Sequence, residues 1–412
     1  MHPIRRRDRQ ARSCMNPAVS TTAPAPPGLH GWRDRKRWGW LLSVAGPGIA
    51  ASGTGAHLLG ATHVGWFFIP LLVFYLVIPL VDLVLGEDPG NPPEAAVPAL
   101  EADPYYRAIL FATVPVLWTA VLVNVGFLAT HTLPAGAWIA TVMATGAVLG
   151  FGLNVSHELG HKRDRLARKV ALFNTALGGY GHFSIEHNRG HHRHVATPED
   201  PASAKMGEGI WRFAWREMPG AFVRAWRLEA DRLRRHGHSR WHPDNEILQA
   251  GALTLAVWGG LSVVFGAGAL AVLVPVAFWG AFQLTSANYV EHYGLQRRRL
   301  ADGRVEPCQP HHSWNSNHLV SNLVVFQLQR HSDHHAHPGR GYQSLRDFPD
   351  LPRLPSGYFG MFLLAYLPPL WFRVMDPRVV EAVRGRAECI NFLPARREAL
   401  MRRHGLAPAA GA

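Results

Sequence analysis

Residues 108–162 read AILFATVPVLWTAVLVNVGFLATHTLPAGAWIATVMATGAVLGFGLNVSHELGHK, and this stretch decides the fold class. Two apolar runs, 108–129 and 134–153, are separated only by a short THTLP turn, and no Lys or Arg occurs between Arg107 and Lys162. Each run has roughly the 17–25 residues that a membrane-crossing helix needs. The second run ends in a pair of histidines, His157 and His161, four residues apart. On a helix that spacing stacks both rings on one face, about one turn from each other. A polytopic helical protein with a metal-binding end is the reading from which the rest follows.

Four further runs extend the pattern: 40–61, 65–85, 249–265 and 269–287. The expected fold is therefore all-α, a polytopic membrane protein with about six transmembrane helices. The run near Trp40 starts too far into the chain, and is too long, for a cleaved signal peptide, so it reads as a retained anchor. Lys and Arg are absent from 38–106 and from 241–296, and crowd instead into the N-terminal tail, Lys162–Lys169 and Arg297–Arg299. The positive-inside rule then places both termini, and every segment after an even-numbered helix, in the cytoplasm. The net charge of +13 is accounted for by this juxtamembrane charge, and no nucleic-acid motif accompanies it. Residues 1–37 form a basic, Pro/Ala-rich tail expected to be disordered. The membrane-embedded domain is expected over 38–376, with a cytoplasmic insertion at about 198–248 and a C-terminal tail at 377–412. The amphipathic stretch within the insertion reads as a helix on the membrane surface, without chemistry. The Pro-broken run 357–372 is too short to count as a span.

Histidines cluster at four places that all follow the fourth or sixth helix. They are His157 and His161 in SHELGHK; His187, His191 and His192 in EHNRGHH; His292 in NYVEHYG; and His331, His334 and His335 in LQRHSDHHAH. The spacings i, i+4 and i, i+3, i+4 let each multi-histidine box present its rings in one direction. Nine imidazoles exceed the four to six ligands that one ion takes, so two ions are the natural reading. Imidazole suits iron, copper and zinc alike, and a shell without thiolates leaves the metal open to oxygen chemistry. Glu158, Glu186, Glu291 and Asp333 sit beside or within the boxes, suited to orient metal-bound rings through their second nitrogen. His182, His194, His311, His312, His318 and His337 are expected to be hydrogen-bonding or packing groups, and His236, His238 and His242 to be solvated.

Cys14, Cys308 and Cys389 are far apart, and the chain has no C-x-x-C pair. That excludes a thiolate zinc site, an iron–sulfur cluster and a fused rubredoxin. His157-Glu158-Leu-Gly-His161 also satisfies H-E-x-x-H, the signature of zinc proteases, but that reading leaves the other boxes unexplained. A metal transporter would want ligands along a path across the membrane, whereas these lie on one side.

HELGHK, GHFSIEHNRGHHRHVATPEDPAS, LTSANYVEHYGL, HHSWNSNHLVSN and LQRHSDHHAHPGRGYQSLRDFP resemble the boxes of the membrane fatty-acid desaturase and hydroxylase superfamily. In detail they look like those of the integral-membrane alkane 1-monooxygenases, over about residues 38–376. The resemblance implies two non-haem iron ions held by His157, His161, His187, His191, His192, His292, His331, His334 and His335. It implies O2-dependent hydroxylation of a terminal methyl group of an alkane drawn from the bilayer. The same resemblance implies a location in a bacterial-type inner membrane, and electrons from a separate rubredoxin served by an NAD(P)H-dependent reductase. It also suggests that Phe74, near the middle of the second helix, faces the substrate channel, the alternative being a side chain in lipid. Acyl-chain desaturation or hydroxylation, and attack on an aryl methyl group, are sibling reactions on the same scaffold.

Overall fold

A lipid-embedded segment must satisfy its backbone N–H and C=O groups internally, so apolar runs of this length fold as continuous helices. In the computed structural model, which describes residues 32–406, five helices are long and apolar enough to cross a membrane. They are Val64–Leu85, Pro104–Thr130, Ala135–Gly160, Glu246–Phe265 and Gly268–His292. The described residues are all-helical apart from a few isolated β-bridges. The protein is an integral membrane protein.

The first apolar run departs from expectation. Residues 40–61 are not one helix but two, Leu41–Ile49 and Ser52–Leu58. Its sequence, AGPGIAASGTGA, explains the break, since proline lacks a donor and glycine is a poor helix former. Asn124 of Pro104–Thr130 covers the gap. Its Nδ2 donates to the Ala50 carbonyl at 3.0 Å and to Thr145 Oγ1 at 2.9 Å, and its Oδ1 accepts from Thr54 Oγ1 at 2.7 Å. The broken run still travels from one end of the bundle to the other. Trp40 packs on Tyr342 with ring centroids 4.9 Å apart, while His57 packs at 5.4 Å on Phe127, near the opposite end.

Small residues bring two spans almost into backbone contact. A Cβ at Gly150 would lie 2.4 Å from the Cβ of Gln283, and one at Gly280 would lie 2.7 Å from that of Leu149. Ala135–Gly160 and Gly268–His292 therefore pack tightly and deliver His157 and His292 to the same end. Across that end lies the insertion helix, Ile210–Arg235, which buries Phe213, Glu217, Ala221 and Ala225 and leaves Trp215 82% exposed. It is amphipathic as expected, but its inner face walls the histidine region.

Tyr358–Ala365 and Pro368–Ala382 meet at 119°, a bend set by Leu367-Pro368-Pro369. Both expected tails prove partly packed. Val379, Ile390, Phe392 and Leu400 are buried, and Met206 exchanges backbone hydrogen bonds with Asn391 and Leu393. Asp34 accepts from Trp40 Nε1 at 3.0 Å and Tyr106 Oη at 2.8 Å. The periodicity of these segments is too short to have marked them as core. The expected disorder of residues 1–31 lies outside the described residues.

Gly280→Val should destabilise the protein by about 1–3 kcal/mol, the usual cost of overpacking. Gly260→Ala, where nothing lies within 4 Å, should leave stability unchanged or slightly raised. Midpoints of thermal unfolding in detergent check the pair.

Candidate metal centre

All nine box histidines converge at one end of the helical bundle. His157 and His161 come from the last turn of Ala135–Gly160 and the residue that caps it, and His292 is the last residue of its span. His187 and His191 lie on the π turn Glu186–His191, with His192 just after it. His331, His334 and His335 stand on the short helix His331–Ala336. The rings form two sets, His157, His161, His187, His192 and His334 in one, and His191, His292, His331 and His335 in the other. Within each set the ligand atoms all lie within 4.8 Å of one another.

Helix geometry decides the division. A π turn brings i and i+5 to one face, so His187 pairs with His192, their Nε2 atoms 3.0 Å apart, and His191 turns to the other set. On His331–Ala336, the i, i+4 pair His331 and His335 stay together at 2.9 Å, and His334 crosses to the five-histidine set. The expectation that each box presents its rings in one direction holds for His157 and His161 and fails for the other two boxes. The short helices run between the two sets and serve both.

The donor set fits metal ions. Nε2 atoms face one another at 2.8 Å for His157 and His334, 3.2 Å for His334 and His192, and 3.2 Å for His331 and His292. Two imidazoles bound to one ion at about 2.1 Å stand roughly 3 Å apart, which is this spacing. A hydrogen-bonded network does not satisfy it, because His334 Nε2 cannot serve two neighbouring Nε2 atoms with one proton. His161 Nε2 and His191 Nε2 are buried and have no protein partner. Burial, and then the charge that neighbouring rings would carry, holds His187, His192, His331, His334 and His335 well below the ordinary imidazole range. Burial and then Lys162 take His161 down to about 4. At neutral pH these rings are unprotonated and free to bind.

The carboxylates are arranged differently from the sequence expectation. Glu291 lies 3.3 Å from His331 Nε2 and accepts from Tyr358 Oη at 2.9 Å. Glu158 is paired with Lys162 Nζ at 3.7 Å and belongs to neither ring set. Glu186 is paired with Arg224, and Asp333 with His337 and Arg340. The acid that grips a ring is Asp200, whose Oδ2 is 3.0 Å from His191 Nδ1. Burial alone would raise the Asp200 pKa, but His191 and Arg224 overcome it and hold the carboxyl far below the carboxylate range. Burial likewise opposes a charge on His191, and Asp200 overrides it. Sequence reasoning missed Asp200 and Arg224 because it looked only at acids next to histidines. Asp200 is nine residues past His191, and Arg224 comes from the insertion helix.

The remaining histidines divide in two. His182 is buried, and His312 bonds to Glu306 at 3.2 Å. His236 and His238 are exposed, and His242 is partly so, beside Asp244 at 3.5 Å.

Below the rings runs a narrow apolar cavity of about 80 Å³. Phe74, Val148, Phe151, Leu328, Phe359 and Phe362 help to line it. Phe74 is 5% exposed and stacks on Phe359, so it faces this cavity rather than lipid. Asn154 and Tyr358, also in the lining, bring the cavity to within a turn of His157 and to Glu291.

Comparison with known proteins adds a family. Residues 132–364 match the model of the fatty acid desaturase family. The chain is 49% identical to an alkane 1-monooxygenase of Ectopseudomonas oleovorans over 381 residues, covering 91% of this chain and 94% of that protein. It is 49% identical to alkane 1-monooxygenase 1 of Alcanivorax borkumensis over 378 residues, 91% and 93% of the two chains. The hydroxylase component of a xylene/toluene monooxygenase from Pseudomonas putida is 32% identical over 223 residues, 54% of this chain and 59% of that one.

Asp200→Asn should weaken metal retention about 10–100-fold, the usual effect of losing a partner that orients a metal-bound histidine. Asp302→Asn, on the exposed turn near Arg304, should have no effect. Metal content after dialysis against a graded chelator separates the two.

Proposed function

The chain belongs to the fatty acid desaturase family, with alkane 1-monooxygenases as near-full-length relatives, and from that premise we propose that it is an alkane 1-monooxygenase. It hydroxylates the terminal methyl group of medium- to long-chain n-alkanes, giving primary alcohols. The observation that carries this reading is the placement of two all-imidazole sets about one helical turn beyond the lining of an apolar cavity. A methyl C–H bond has no acidity or polarity for side-chain acid–base chemistry to use, so the oxidising power must come from a metal and O2.

The nine histidines are the proposed holders of two iron ions. Two irons, when bound, supply the activation of O2 and the oxidation of the C–H bond. The protein's own contribution is positional. Asp200 fixes the tautomer and direction of His191, with Arg224 holding Asp200 in place. The aromatic and aliphatic walls bind the chain by burial and keep water from its reacting end. Tyr358, donating to Glu291, ties the head of the cavity to the ring layer.

Electrons are proposed to come from a separate rubredoxin reduced by an NAD(P)H-dependent flavoprotein. The donor would dock at the histidine end, placed in the cytoplasm by the basic residues around it, with both termini on that side of a bacterial-type inner membrane. The functional domain extends over residues 38–376 and beyond, into the packed C-terminal segment. Aryl-methyl hydroxylation is the second reading, supported by the xylene/toluene relative over part of the chain.

Membranes given rubredoxin, reductase, NADH and n-alkanes of graded length should form 1-alkanols, identified by mass spectrometry. Omitting rubredoxin should abolish product, and p-xylene should be the poorer substrate. Product with zinc alone, or no alcohol from any alkane, would overturn the reading. Phe74→Ala removes a wall of the cavity and should shift the product profile toward longer alkanes, with hydroxylation still terminal. An unchanged profile would dismiss Phe74 as the gauge of chain length.

A further inference from the structure

Behind the histidines lies a buried acid that the reaction above does not yet use. Glu217, midway along Ile210–Arg235, is 2% exposed. Its carboxylate accepts from Thr285 Oγ1 at 2.7 Å and Asn288 Nδ2 at 3.1 Å, both on Gly268–His292, and none of the nine box histidines is a hydrogen-bond partner. Among the described residues no Lys or Arg forms an ion pair with it. The nearby Arg224 is bound to Glu186 and Asp200 instead. Burial, with those two acids adding to it, raises the Glu217 pKa to about 7. A buried carboxyl without a cation is costly, and such groups concentrate where chemistry needs them.

Glu217 faces a small cavity of mixed lining with room for about one water molecule. Tyr180, His182, Glu186, His187, His191 and Asn288 also line it. Thr285 and Asn288 on the packed span are uncharged, so the titratable groups around Glu217 are these together with Asp200 and Arg224. At the outer end, His182 has a buried Nε2 without a partner, and its ring lies 5.2 Å from that of Phe222, which is 45% exposed. At the inner end stand His187 and His191. His182, Glu217, His187 and His191 therefore share one small cavity at the back of both ring sets.

The overall reaction has a proton requirement. R–CH3 + O2 + 2 e− + 2 H+ gives R–CH2OH + H2O: the O–O bond and one C–H bond break, and one C–O and three O–H bonds form. The external donor supplies electrons, and a site closed to bulk water must receive its protons through side chains. We propose that Glu217 is the proton relay of this centre, giving its carboxyl proton across the small cavity to the oxygen that leaves as water, and regaining one through His182. As a neutral ring, His182 accepts at one nitrogen and releases from the other. The relay rests on the monooxygenase reading.

The test uses the full-length, iron-loaded protein with octane as probe, comparing Glu217→Gln and Glu217→Asp with the unaltered chain. The Gln variant keeps shape and polarity but cannot give up a proton. It should retain its iron and its octane KM while kcat falls at least about 10-fold, with a larger solvent deuterium effect. Glu217→Asp should keep most of the activity. An infrared pH titration should show a protonated-carboxyl band lost with a midpoint near 7, absent from Glu217→Gln and present in iron-free protein too. Stability should follow the same group. The folded state holds a proton that the unfolded chain releases, so stability falls as pH rises from about 4.5 to 7, then levels off, and Glu217→Gln removes the fall. A Gln variant with unaltered kcat and pH profile would overturn the relay, and so would one that loses its iron, which would assign Glu217 to holding the site. A wild-type protein that oxidises no alkane would sink the monooxygenase reading instead, and is told apart because the infrared titration is independent of turnover.

Discussion

Nine imidazole rings buried within a few ångströms of one another are tolerable only while nearly all stay uncharged, and the architecture above the membrane spans follows from that constraint. Each ring needs a reason to face inward and a cover against water. The reason is supplied by the shared focus of each set, where Nε2 atoms stand at the separation of neighbouring ligands on one ion. The cover is supplied by the insertion helix, which packs on the Glu186–His191 turn. Among the described residues, the acid in direct contact with an outer ring nitrogen is Asp200, and it is itself held by Arg224.

What the sequence made legible is what depends on short-range periodicity. Runs of apolar residues gave the spans, and the four-residue spacing of His157 and His161 put both in one set, because a long straight helix obeys that spacing. The same logic misplaced His191 and His334. A single π turn changes the period from 3.6 residues to nearly one more, and nothing in EHNRGHH signals that change. The break at Ala50 and Ala51 was foreshadowed by Pro47 and the surrounding glycines, but not the Asn124 side chain that makes the break affordable, which comes from 74 residues further on. Long-range partners of this kind are set by packing. Asp200, Arg224 and Glu217 share that property, and for the same reason none stood out.

A second π turn, Val73–Val77, shapes the cavity. Widening the helix there lets consecutive residues, Phe74 and Tyr75, both contribute to the cavity wall, whereas in a regular helix neighbours diverge by about 100°. Tyr75 Oη donates to Gln283 at 2.6 Å, and Gln283 Nε2 donates to Tyr366 Oη at 3.0 Å, so three separate segments are tied together at that level. Both π turns sit where the chain touches the reactive region, one at the rings and one at the cavity wall.

The two ends of the site impose opposite demands, and the insertion helix is where they meet. In the proposed reaction, substrate would come to the rings through the apolar cavity between spans, a route hostile to charge. Electrons and protons must come from the polar side, and a charged path cannot pass through the bundle itself. Ile210–Arg235 resolves this by its two faces. Outward it shows Trp211, Trp215 and Phe222, suited to the membrane interface. Inward it sets Glu217 and Arg224 against the histidine layer, one near its protonation midpoint and one fixed in charge. Amphipathicity that reads as mere surface attachment in the sequence is thus also the means of bringing polar groups to the rings without placing them in the lipid.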